Sequence, residues 1–165
     1  MDEEKREEEE IPSWLSPFDR VRRVLAKMRE ERIKRYTEIV ESLSDKYPEL
    51  SRALKNLLSE RPKTRITYME ISGYTAIDLR DDYLSLHGSS IAFKCNEKCD
   101  VEGDIITVKN EKIIEMYRKS LEEYGCKIKD IHFHEAPSDA AHIHIKCDMD
   151  VKKLEEFIDR LFKYM

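Results

Sequence analysis

The sequence predicts an α+β protein: an N-terminal helical hairpin followed by a mostly antiparallel β-sheet with two helices packed on one face. Three observations predict it. Apolar residues recur at helical spacing up to about residue 60, the pattern changes to period two from Thr64, and helical spacing returns after Asn110 and near the end of the chain. The expected order is α-α-β-β-β(β)-α-β-β-α, an order that suits helices gathered on one face of an antiparallel sheet.

Residues 2–10 hold seven acids against Lys5 and Arg6, so residues 1–12 are expected to be a disordered acidic tail. Ser16-Pro17-Phe18-Asp19 reads as a helix start, with Ser16 as cap, Pro17 in the first turn and Asp19 reaching back. Phe18, Val21, Leu25, Met28, Tyr36, Ile39, Val40 and Leu43 then carry one apolar stripe to about Leu43. That stripe is expected to pack on a second helix, which starts at Pro48, buries Leu50, Leu54, Leu57 and Leu58, and stops near Arg61-Pro62. Residues 13–61 thus form the predicted hairpin and residues 62–165 the predicted α+β domain.

Strands are expected over residues 64–71, 74–80, 83–86, 89–94 and 101–108, punctuated at Gly73, His87-Gly88 and Asn96 to Cys99. Asn110 caps a helix carrying Ile113, Ile114, Tyr117 and Leu121, and Gly125 ends it. Two further strands follow. Asp148 or Asp150 then caps a last helix with Val151, Leu154, Phe157, Ile158, Leu161 and Phe162.

Apolar residues make up 40% and charged residues 39%, enough for a core under a highly charged surface. Gln is absent and Asn occurs only at positions 56, 96 and 110, the drift expected of a thermophile protein. No apolar run is long enough to span a bilayer and no signal peptide opens the chain, so a cytoplasmic protein without membrane partners is expected. The four cysteines are expected as thiols or ligands rather than a disulfide frame. Cys95-x-x-x-Cys99 has a spacing that zinc can use, and Cys147 falls on the buried parity as an inert thiol. Asp78, Asp81 and Asp82 read as a charged turn. No phosphate loop, dinucleotide fingerprint or nucleophile elbow is present, which removes support for nucleotide hydrolysis and hydride transfer.

Charge is unevenly spread. Residues 18–35 hold eight bases (Arg20, Arg22, Arg23, Lys27, Arg29, Arg32, Lys34 and Arg35) against Asp19, Glu30 and Glu31. Pairing within the helix cannot neutralise such an excess, so Arg20, Arg22, Arg23, Lys27 and Lys34 are the expected contacts to nucleic acid or a nucleoprotein complex. The adjoining acidic tail is expected to compete for the same surface.

Four of the five histidines fall in one stretch, as His132-Phe-His134 and His142-Ile-His144. Each pair has the spacing that puts both rings on one face of a strand. A hairpin centred near Ser138 would pair His132 with His144 and His134 with His142. His132, His134, His142 and His144 are therefore the expected donors for a divalent metal, zinc or manganese, with Glu135 or Asp139 nearby.

The segment His132-Phe-His134-Glu135-Ala-Pro…His142-Ile-His144 resembles the three-histidine segment of relaxases in the HUH endonuclease superfamily, over residues 127–150. The resemblance implies a metal-dependent single-strand nickase in which His142 and His144, with His132 or His134, hold a divalent cation that polarises a phosphate for attack by a tyrosine. Tyr164 is the tyrosine downstream of the histidines; Tyr36, Tyr68, Tyr74 and Tyr83 lie upstream. The leading expectation is an accessory factor acting on nucleic acid through the basic helix. The nickase and a protein–protein adaptor are the alternatives.

Overall fold

The computed structural model describes residues 16–79, 88–135 and 139–165. The acidic tail, the strand expected at 83–86, Asp81, Asp82, Pro137 and Ser138 lie outside the described residues. Two units are distinguished, Met1–Thr37 and Glu38–Met165, so the boundary falls inside the first helix.

In the first unit, helix α1 (Pro17–Ser42) begins as its sequence requires. Ser16 Oγ donates to Asp19 Oδ2 at 2.8 Å and accepts from the Asp19 amide at 3.3 Å, a reciprocal cap. The stripe along α1 departs from expectation. Phe18, Val21, Leu25 and Met28 are 67%, 55%, 55% and 50% exposed. Only from Val40 onward does the helix enter a core.

In the second unit the end of α1 is tied to helix α2 (Pro48–Glu60) by Ser51 Oγ, which donates to the Val40 carbonyl at 2.9 Å. Leu50, Leu54 and Leu57 of α2 are fully buried. The six strands among the described residues are β1 (Arg65–Met69), β2 (Tyr74–Asp78), β3 (Ser90–Cys95), β4 (Cys99–Val108), β5 (Cys126–Phe133) and β6 (Ala140–Met149). Their spatial order is β1-β2-β3-β4-β6-β5 and every pairing is antiparallel. The first four form a meander. Helix α3 (Glu111–Glu123) then carries the chain to the far edge, so that β6 returns between β4 and β5.

Period two gives the sheet its two faces. Ile66, Ile77, Ile91, Phe93, Val101, Ile105, Ile143 and Ile145 are buried on one of them. Helix α4 (Val151–Arg160) adds Leu154, Phe157 and Ile158 to the core, packs on α2, and is capped by Asp150, whose Oδ1 accepts from the Lys153 amide at 2.8 Å. Asn110 caps α3 in the same way through the amides of Lys112 and Ile113. A short 3-10 turn, Phe162–Tyr164, closes the chain; Lys163 Nζ lies 3.1 Å from Glu60 Oε2 on α2.

The cysteines correct the sequence expectation. Cys95–Cys99 and Cys126–Cys147 are both disulfides, so all four sulfurs are consumed and neither a zinc clip nor a free buried thiol remains. Strand register explains both bonds: Cys95 lies opposite Cys99 at the end of the β3–β4 hairpin, and Cys126 lies opposite Cys147 on β5 and β6.

A candidate metal and ligand face on the sheet

The face of the sheet opposite the buried isoleucines is polar, and register lines its residues up in rows. One row crosses all six strands: Arg65, Asp78, Ser90, Asp104, His144 and Asp130. The next row toward the β5–β6 turn holds Ile106, His142 and His132. In the other direction the row is Thr67, Ala76, Ala92, Glu102 and Lys146. Small side chains at Ala76, Ser90 and Ala92 leave the middle of this face low. A groove of ≈ 590 Å³ results, with Asp78, Asp104, His142 and His144 among its lining residues.

The histidines do share this face, but not in the expected register. His132 pairs with His142, and the amide of His134 donates to the Ala140 carbonyl at 2.8 Å. The hairpin is thus centred one residue earlier than Ser138, with Asp139 at φ 39°, a left-handed position that Asp tolerates. A bulge between Ile128 and Asp130 absorbs one residue of β5. It brings Asp130 onto the polar face opposite His144.

The four rings fall into different environments. His132 Nε2 sits 2.8 Å from Asp130 Oδ2 and is two-thirds exposed. His134 stacks on His142 at a centroid separation of 5.7 Å, with His134 Nε2 3.5 Å from His142 Nδ1. His144 Nδ1 is hydrogen-bonded to Asp104 Oδ1 at 3.0 Å. His142 Nε2 lies 3.1 Å from the same oxygen, yet it is out of hydrogen-bond alignment, sealed from water and without a hydrogen-bond partner. Among the described residues, no three His, Cys, Asp or Glu side chains stand around a common ion position.

Asp104 is the member of this cluster that sequence reasoning missed. It lies 38 residues before His142 and belongs to no short-range motif with it. The signal was its parity: Asp100, Glu102 and Asp104 all fall on the polar face of β4, and β4 is the strand beside β6.

Among the described strand residues, no tyrosine is a register partner of a histidine. Tyr74 shares the polar face, but its hydroxyl donates to Asp100 Oδ2 at 2.6 Å, four residues along β4 from Asp104. Accepting that hydrogen bond, Asp100 holds the phenol above its ordinary pKa, with burial and the negative charge of Asp100 and Glu102 adding to the effect. A phenol held neutral is a poor nucleophile. Tyr36 is half-buried on α1, Tyr68 is exposed on the edge strand β1 and Tyr164 is exposed at the end of the chain; Tyr83 lies outside the described residues.

On α1, Arg20, Arg22, Arg23, Lys27 and Lys34 are all exposed. Arg22 stacks over the Phe18 ring at 4.8 Å, one turn away. Arg23, Lys27 and Lys34 share one side of the helix with Glu30 and Glu31. None of the described helices is long and apolar enough to cross a membrane.

No family of known proteins, no curated protein and no solved structure matches this chain.

Proposed function

We propose that the protein is an accessory factor that docks on nucleic acid within a nucleoprotein complex through residues 18–35 of α1. The observation that carries this reading is the exposure of the basic helix. Eight bases against three acids project from a segment whose apolar stripe is also uncovered. Phosphates attract Arg and Lys regardless of sequence, and the release of counterions makes such binding fall steeply with salt. Phe18, Val21, Leu25 and Met28 suit the protein component of such a complex better than bare nucleic acid, since phosphates offer them nothing.

The test is fluorescence anisotropy with labelled single- and double-stranded DNA and RNA, repeated over a range of salt. Arg20→Glu/Arg23→Glu/Lys27→Glu changes only exposed positions and is expected to lower affinity at least tenfold and flatten the salt slope. Equal binding by both proteins, or none at low salt, overturns the reading. A stable complex with a protein that survives the charge reversal would instead favour the adaptor.

A further inference from the structure

We infer that the exposed apolar stripe of α1 is a pairing surface for a second copy of this chain, with two α1 helices lying antiparallel along it. The inference deepens the reading above by naming the protein that covers the stripe. It is tested without nucleic acid, so the two can fail separately.

The stripe has the spacing of a helix-pair seam. Phe18, Val21, Leu25 and Met28 follow one another at intervals of three, four and three residues, the alternation by which side chains of one helix seat between those of another. Each is at least half exposed, and Val24 beside them is 52% exposed. A contiguous apolar row of this kind marks an interaction surface, whereas single exposed apolar residues do not.

Charge selects the occupant and its direction. Continued at the same spacing, the seam positions after Met28 are Arg32 and Arg35. Two parallel copies would set Arg32 against Arg32 and Arg35 against Arg35, and would range all eight bases of residues 18–35 beside their own images. Like charges so placed oppose association. Antiparallel copies separate these pairs. Placing Phe18 opposite Met28 and Val21 opposite Leu25 brings the start of each α1 beside residues 29–35 of the other. The chain ahead of that start is acidic, since residues 2–10 hold seven acids against Lys5 and Arg6. Residues 29–35 hold Arg29, Arg32, Lys34 and Arg35 against Glu30 and Glu31. A stripe with an acidic segment before one end and a basic segment at the other is complementary to its own reverse, which is the condition for a two-fold pair. The arrangement also leaves room: at the rise of an α-helix, Val40 of the two copies, where α1 enters a core, would stand on the order of 50 Å apart.

The experiment is sedimentation velocity of the full chain over a range of concentrations at low salt, with no nucleic acid present. A reversible dimer is expected. Leu25→Asp/Met28→Asp, at exposed positions, is expected to weaken it at least tenfold while thermal unfolding stays close to that of the parent. Deleting residues 2–10 is expected to weaken the dimer at low salt and to matter less at high salt. Direction is read with a short bismaleimide, because all four native cysteines are held in disulfides. An equal mixture of Phe18→Cys and Met28→Cys should crosslink and either protein alone should not, since like positions stand about 15 Å apart in the antiparallel pair. A chain that stays monomeric overturns the inference. So does a dimer that survives Leu25→Asp/Met28→Asp, which would place the contact elsewhere, such as the sheet edge at β1 or β5. Crosslinking of Phe18→Cys alone would overturn the antiparallel order.

Discussion

Tyr74 on β2 and Asp100 on β4 close a 2.6 Å hydrogen bond over the intervening strand β3, tying three strands together on the polar face. Because Asp100 accepts the phenolic proton, the pKa of Tyr74 is raised above 10.0. The folded state therefore holds this proton more tightly than the unfolded chain. The associated stability is complete below pH 10 and is lost as pH rises through the folded-state pKa. Absorbance titration of the parent against Tyr74→Phe should show one tyrosine ionising late. In Asp100→Asn that tyrosine should ionise earlier; an unchanged titration would show that Asp100 is not the cause.

Gly103 is required by close approach, since its φ lies outside the left-handed region. A Cβ at this position would stand 2.3 Å from the Ser90 carbonyl oxygen and 2.9 Å from Ile91 Cα. Both are backbone atoms of β3, so Gly103→Ala must push the β3–β4 ladder apart. A loss of about 1–3 kcal/mol is expected from denaturant unfolding. Since Ser90 pairs with Asp104, the histidine cluster should shift as well, read as changes in histidine NMR resonances.

Phe157 on α4 is fully buried, stacked at 5.8 Å on Phe162 and edge-on at 5.5 Å to Tyr124. Phe157→Ala empties the centre of the core and is expected to cost about 3–5 kcal/mol by equilibrium unfolding. A loss below 1 kcal/mol would mean that α4 is not seated on this core.

The Cys126–Cys147 bond spans a sequence separation of 21 and joins the edge strand to its neighbour. Loop-closure entropy assigns it about 3 kcal/mol, and less to Cys95–Cys99 with a separation of 4. Alkylation of unreduced, denatured protein should modify no cysteine. The Cys126→Ala/Cys147→Ala pair should unfold at clearly lower denaturant than Cys95→Ala/Cys99→Ala. Four alkylated cysteines without reduction would refute both bonds.

Local rules made much of the fold legible. The cap at Ser16, the cap at Asn110, the stop at Gly125 and the start at Pro48 all rest on interactions within a few residues, and each is found where expected. The alternation of His142 and His144 with Ile143 and Ile145 likewise named the polar face of β6, because side-chain parity is a property of the strand alone.

Other features depended on what lies opposite in space. Spacing along the chain could not reveal that Cys95 faces Cys99 or Cys126 faces Cys147, since register decides it. A hairpin centre one residue earlier than Ser138 moved His132 from His144 to His142, a displacement that composition does not encode. The exposed stripe of α1 shows the same limit: periodicity identifies an apolar face but not whether anything covers it.

The sequence by itself determined the elements, their order and the polar strand face that bears the histidines, because caps, turns and parity act over a few residues. The tertiary structure decided which strands are neighbours. By returning β6 between β4 and β5, it set Asp104 beside His142 and His144, a contact across 38 residues that exists only once the sheet has closed.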